Sequence, residues 1–391
     1  MKSFQADYVF PVSSGPIRNG IVTVDDTGKI ISVSEPYVTA EQLSIQVKKL
    51  SGIICPGFIN THCHLELSHL KGKIEMGKGL VNFIKDVQQF RGSDKNEILD
   101  SALIADAEMY KNGIVAVGDI SNTNLTIPVK KSSKLYYHTF IEAFGFVPNQ
   151  AEEVFKKSLS LLEDFKPMAS SITPHAPYSV SKDLFKLIKN LSKFGNNLLS
   201  IHNQESADEN KFFRYKTGSL VELYQHFGIN IDFFKPQARN SLQTIVPLLT
   251  NNQRILFVHN TFTNLKDLYF VKRFDRNISF CFCPNANLYI ENCIPKINLF
   301  LNQGFNLTLG TDSLASNHGL SILDEMKVIQ NKLPDINAET LIEWATLGGA
   351  KFLGIDHEKG SLEPGKSPGL NLISGLNEWS FTPETTVTPL I

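Results

Sequence analysis

From Gly57 onward the chain repeats one rhythm eight times: a short apolar run, then a longer amphipathic segment. The runs are Gly57–Thr61, Gly113–Asp119, Tyr136–Phe144, Ala169–Pro174, Leu198–His202, Arg254–His259, Ile278–Cys283 and Asn306–Gly310. Their length and their content of β-branched and aromatic residues are those of strands. The segments between them carry helical spacing. Phe83, Val87 and Phe90 fall at i, i+4 and i+7, and Leu184, Leu187, Ile188 and Leu191 share a face behind Ser181, a suitable N-cap. Eight strand-then-helix units predict an α/β fold, a (β/α)8 barrel rather than an open doubly wound sheet.

The flanks read differently. Residues 1–52 hold short β-branched runs, Tyr8–Val12, Gly20–Val24 and Lys29–Val33, divided by turn clusters such as Asp25-Asp26-Thr27-Gly28. Beyond about residue 355, the turn-rich stretch Gly360–Lys366 leads into the strand-like Leu370–Ser374. The expectation is one small β-sandwich built from both termini, residues 1–55 and 355–391, beside a barrel over 56–354. No Gly/Ser linker, low-complexity tract or internal repeat separates the two, so they should form one fixed unit.

Composition excludes several classes. Of 391 residues, 42% are hydrophobic and 20% charged, and the net charge is -1, so the chain is an ordinary globular one. No basic bias points to nucleic acid or an anionic membrane. No apolar run approaches the ~18 residues of a membrane span, and the start lacks a signal-like apolar core, so a cytoplasmic location is expected. Five cysteines at irregular spacing imply no disulfide framework, and Cys281 and Cys283 read as buried apolar residues.

In barrels the catalytic groups sit at the C-terminal ends of strands. His62 and His64 end the first run, and residues two apart on a strand point to one side, so both imidazoles can reach one metal ion. His175 ends the fourth run and His202 the fifth, with Glu205 three residues later. His259 ends the sixth and Asp312 the eighth. A lone strand-end histidine is an ordinary packing residue. Several imidazoles and carboxylates buried together without a metal would each cost about 2–5 kcal/mol, so the set reads as a metal site. His64-Leu65-Glu66 matches the His-x-Glu of zinc base deaminases, but the partner Pro-Cys-x-x-Cys is absent.

The blocks Pro56–His64, Pro174–Ser179, His202–Glu205, Val258–Asn260, Cys283–Asn285, Gly310–Ser313 and Gly360–Lys366 together resemble the amidohydrolase superfamily, in its mononuclear metal-dependent deaminase and chlorohydrolase branch. The resemblance runs over nearly the whole chain. It implies one divalent ion, zinc first and iron as the alternative, held by His62, His64, His202 and Asp312. Binuclear members carry a bridging lysine at the end of the fourth strand, where this chain has His175. The implied catalytic residues are Asp312 as proton shuttle, His259 positioning the nucleophile, and Glu205 protonating a ring nitrogen. His175, Glu66 and Asn317 are the candidate substrate contacts. Glu142, Asn285, Ser313 and Arg91 are further candidates on the rim, and Arg91 could hold an acidic group.

The implied reaction releases ammonia from an amino-substituted purine or nucleoside-like heterocycle. The His62–Ser68 block is similar to that of aminodeoxyfutalosine deaminases of menaquinone biosynthesis. Other hydrolyses at such a site stay open: dechlorination, guanine or S-adenosylhomocysteine/methylthioadenosine deamination, and imidazolone opening. A different class is a non-catalytic barrel scaffold. The expected partner is a small heterocyclic amine, with room for a homodimer.

Overall fold

The computed structural model describes residues 1–36, 47–194 and 197–391. Residues 37–46, inside the stretch expected to be β-rich, and residues 195–196 lie outside the described residues.

The eight expected barrel strands are present. Phe58–Cys63, Ile114–Ser121, Tyr136–Ala143 and Ser170–Pro174 pair in parallel as one half, and Asn197–Asn203, Gln253–His259, Asn277–Phe282 and Asn306–Leu309 as the other. Two seams join the halves. At the first, the Thr311 and Asp312 amides donate to the His62 carbonyl at 3.1 and 3.0 Å, and Cys63 bridges Asp312 in parallel. At the second, the His202 amide donates to the His175 carbonyl at 2.9 Å, and Thr173 Oγ1 donates to the Ser200 carbonyl at 2.7 Å. The fold is a (β/α)8 barrel.

Helices cover the outside for the reason the sequence suggested. Ser181 caps Lys182–Leu191 by accepting from the Leu184 amide, and Leu184, Phe185 and Ile188 of that helix are buried. The expected first helix spans Leu80–Phe90. A second buried cluster packs Ile59, Ala116, Phe140, Leu256, Val258 and Cys281 from five barrel strands with Phe352 of the last helix. None of the described helices is long and apolar enough to cross a membrane.

Both termini build two further sheets. One orders Ile30–Ser34, Ile21–Val24, Lys2–Gln5 and Val47–Lys49; the other orders Thr386–Pro389, Leu370–Ser374, Ile53–Pro56, Tyr8–Val9 and Ile17–Arg18. Phe4, Val22, Val24, Ile54, Leu370 and Leu372 share one buried core between them. On this pairing we propose to divide the chain into 1–55 with 355–391, and 56–354. Only Gly57 separates the strand Ile53–Pro56 from the first barrel strand, and a Cβ there would lie 2.2 Å from Val115 Cγ1.

The last helices close the barrel between its first and eighth strands. A Cβ on Gly348 would fall 2.2 Å from the Leu307 carbonyl oxygen, and one on Gly349 would fall 2.7 Å from Ile59 Cγ2. The missing side chains permit backbone to pack on strand. Gly348→Ala is therefore expected to lower stability by about 1–3 kcal/mol through overpacking, read as a shift of the urea midpoint. An unchanged midpoint would show that this contact yields without cost.

Candidate active site

The strand ends bring four predicted ligands together. Ligand atoms of His62, His64, His202 and Asp312 all lie within 4.8 Å of one another. His64 Nε2 is 3.2 Å from His62 Nε2 and 3.3 Å from His202 Nε2. Asp312 Oδ1 is 3.4 Å from His64 Nε2 and 3.6 Å from His62 Nε2. His62, His202 and Asp312 are buried, and the His64 side chain is 11% exposed.

The hydrogen bonds behind these rings decide what the front can do. His202 Nδ1 is 3.0 Å from the His175 carbonyl, which only accepts, so Nδ1 carries the proton and Nε2 presents a bare lone pair to the cluster. Burial drives the His64 imidazole down to about 3 and the His202 imidazole well below its ordinary value, so both are neutral at pH 7. Burial would raise Asp312, but His62, His64 and His259 more than reverse this and hold its carboxyl well below the usual range. Converging neutral imidazole nitrogens and a carboxylate oxygen, braced from behind, fit a divalent cation. Ser316 Oγ donates to Asp312 Oδ2 at 2.6 Å, and Ser200 Oγ lies 3.2 Å from His62 Nδ1.

Beside the cluster stand His259 and Glu205, with His259 Nε2 3.6 Å from Glu205 Oε1. The Asn287 amide, as assigned, donates to His259 Nδ1 at 3.2 Å, which places the ring proton on Nε2. That nitrogen is buried and has no hydrogen-bond partner among the described residues. Burial, reinforced by Asp312, Glu209 and Glu291, pushes the Glu205 carboxyl well above its ordinary value, which favours its protonated form. Gln204, His259, Asn260 and Asp312 all adopt positive φ, between 47° and 70°. Such backbone costs about 1–3 kcal/mol per residue and persists where the surroundings over-determine it.

A cavity of about 460 Å³ opens over this group, and His64, His175, His202, Glu205, His259 and Asp312 line it. Its outer wall is apolar, with Phe83, Val87, Phe144, Phe146, Tyr224 and Phe227 among the lining residues.

The other candidates separate. His175, Glu142, Arg91 and Ser313 line the cavity. Glu66 and Asn317, expected as substrate contacts, do not. Glu66 Oε2 accepts from the Asn122 amide and from the Thr123 amide and hydroxyl, all at 3.1 Å, so this carboxylate braces a loop. The Asn317 amide donates to the Thr311 carbonyl and to Glu325 Oε1, both at 2.8 Å, and its oxygen accepts from the His318 amide, which ties down the loop after Asp312. Asn285 gives its backbone amide to Glu325 Oε2 at 2.9 Å. Arg91 Nη2 is engaged by Glu66 at 3.5 Å and Asn122 at 3.1 Å, so part of its guanidinium is already committed. Asn122, Asn287, Ser200 and Ser316 were not foreseen. Asn122 directly follows the second barrel strand, a strand-end position the sequence reading passed over, and no local pattern marks the other three. Cys281 and Cys283 are fully buried, as expected.

Known proteins share this architecture. Residues 53–388 match the Amidohydrolase family. An adenosine deaminase of Helicobacter pylori is 29% identical over 344 residues, covering 86% of this chain and 82% of that one. The crystal structure of Helicobacter pylori aminofutalosine deaminase in complex with methylthio-coformycin superimposes with a TM-score of 0.84 at 24% identity, covering 98% of this chain and 94% of that one. An adenosine deaminase from Xanthomonas campestris with bound zinc gives 0.72 at 22% identity, covering 95% and 84%.

His202→Ala removes a lone pair from the centre of the cluster. The expected outcome is loss of most bound zinc from the purified protein, measured by atomic absorption. A variant that keeps full stoichiometric metal would overturn the four-residue site.

Proposed function

This chain belongs to the amidohydrolase family, and from that premise we propose that it hydrolytically deaminates adenosine-like nucleosides, with one divalent metal ion held by His62, His64, His202 and Asp312. The observation that carries the reading is the buried Glu205 carboxyl standing 3.6 Å from His259 beside the metal-type cluster, where burial favours its protonated form. An esterase or phosphatase on such a site has no evident need of a neutral carboxylic acid there. A heterocyclic amine does, because adding oxygen to an aromatic carbon breaks conjugation unless the adjacent ring nitrogen gains a proton.

A bound ion would supply Lewis-acid activation of water near neutral pH. Three imidazole nitrogens and one carboxylate oxygen favour zinc. This chain's residues handle the protons. Asp312 takes one proton from the attacking water, and His259 Nε2–H donates a hydrogen bond that orients the incoming oxygen. Glu205 gives its proton to the ring nitrogen as oxygen bonds to the amine-bearing carbon. Asp312 then passes its proton to the amino group, the carbon–nitrogen bond breaks, and ammonia departs. The hydroxyl proton returns to Glu205 as the carbonyl forms, so the carboxyl ends as it began.

Glu205→Gln keeps shape and hydrogen bonding but cannot transfer a proton. The expected outcome is near-normal metal content with ammonia release from adenosine-like substrates reduced by at least ~10²-fold. Asp312→Asn should lose metal and rate together. Normal turnover by Glu205→Gln on a verified substrate would remove Glu205 from the mechanism.

The pH profile is a separate check. Because Glu205 acts in its protonated form and its value is raised, activity should persist above the usual carboxylate range. It should fall only as pH climbs through that raised value. A profile already falling between pH 4 and 5 would mean an ordinary carboxyl there.

A further inference from the structure

The proposed chemistry leaves Glu142 without a task. It ends the third barrel strand, lines the cavity and is 8% exposed. One of its oxygens is anchored: Oε2 accepts from Asn122 Nδ2 at 3.0 Å, and Asn122 is itself held by Arg91 at 3.1 Å and by Glu66, which accepts from its amide at 3.1 Å. The other oxygen, Oε1, has no hydrogen-bond partner among the described residues. It lies 3.7 Å from His202 Nδ1, whose proton goes to the His175 carbonyl, and 4.0 Å from His175 Nε2. His175 Nδ1 is engaged by Ser179 Oγ at 2.6 Å, which fixes the ring so that Nε2 turns toward Glu142.

A buried carboxylate oxygen held rigidly without a partner is costly unless a ligand supplies a donor. Three occupants can be weighed. A metal ion could be sought among Glu142, His175 and His202, whose ligand atoms also cluster. It fails on His202 Nδ1, whose proton goes to the His175 carbonyl. An organic cation would sit beside the Arg91 guanidinium, which already serves this corner. Hydroxyl groups remain. A hydroxyl oxygen at about 2.8 Å from each atom fits a 4.0 Å gap. Two adjacent hydroxyls satisfy both atoms at once.

We propose that Glu142 Oε1 and His175 Nε2 together recognise the vicinal 2′,3′-diol of a ribose, making Glu142 a specificity determinant for ribonucleosides over deoxynucleosides. The proposal rests on the nucleoside-deaminase reading above. The Glu66–Asn122–Arg91 network is then the brace that keeps Glu142 in place for an incoming sugar.

The test compares kcat/KM for adenosine, 2′-deoxyadenosine and 3′-deoxyadenosine in the wild type, Glu142→Ala and Glu142→Gln, with metal content measured for each. The wild type should prefer adenosine over at least one deoxy analogue by ~10-fold or more, since a site built to bind a hydroxyl rejects the compound lacking it. Glu142→Ala should bring that ratio to within about 3-fold, because the lost partner and the lost hydroxyl are the same interaction. Metal content should not change. A wild type that treats all three alike overturns the proposal, and so do variants that slow all three substrates in parallel, the signature of a merely structural role. Glu142→Gln, which preserves volume, carries the comparison if the alanine variant does not fold. Absence of ammonia from all three substrates would instead overturn the nucleoside reading, and the diol with it.

Discussion

The amides of Thr311 and Asp312 on the His62 carbonyl are the contacts on which the rest depends. They close the barrel between its first and eighth strands, and the same two residues that close it bring the Asp312 carboxylate to the His62 and His64 imidazoles. The opposite seam works in the same way. There the His202 amide donates to the His175 carbonyl, and that carbonyl also takes the His202 ring proton. One oxygen therefore closes the barrel and sets the tautomer that turns the His202 lone pair inward. Fold and site share their hydrogen bonds, so neither can be loosened alone.

Holding such a group requires buried polar structure behind it. Asp119 and Lys130, both fully buried, pair at 2.5 Å, and Asp119 Oδ1 accepts from the Leu65 amide at 2.7 Å, directly after His64. Lys130 is further satisfied by Ser121 and Thr139 at 3.0 Å each. Removing one member of a buried pair typically costs ~3–5 kcal/mol, because it strands the other charge. The pair fixes the backbone that carries His64, and Ser316 and Asn317 do the equivalent for the Asp312 loop. The positive-φ residues Gln204, His259, Asn260 and Asp312 lie at or just beyond the ends of the fifth, sixth and eighth barrel strands.

Much of this was legible in the sequence, for a definite reason. Strand rhythm and strand-end position are local properties, so the eight runs and the histidines closing them could be read directly. Which oxygen of a carboxylate is already engaged is not local. Glu66 and Asn317 sit next to the chemistry in the chain, yet their hydrogen bonds go to Thr123 and Glu325, and they are not among the residues lining the cavity. Glu142 looked as fit for an ion pair as for a ligand. Only its one anchored and one free oxygen separate the two. Asn287 reaches His259 from a helix whose own pattern reads as ordinary packing.

The same logic weighs against a non-catalytic scaffold. Structural metal sites are closed and keep their surroundings chemically quiet. Here a cavity reaches the cluster, and two carboxyl groups at its edge are driven in opposite directions. Burial lifts Glu205 well above its ordinary value, while the histidines around Asp312 overcome burial and hold it well below. The two shifts run in opposite directions, the pattern that the proposed division between a proton donor and a proton acceptor calls for. Packing alone gives no reason to separate them. His259 Nε2 is buried without a hydrogen-bond partner among the described residues, which suits the donor role proposed for it. A scaffold would have no use for that unsatisfied group, whereas a hydrolase fills it each time substrate and water enter.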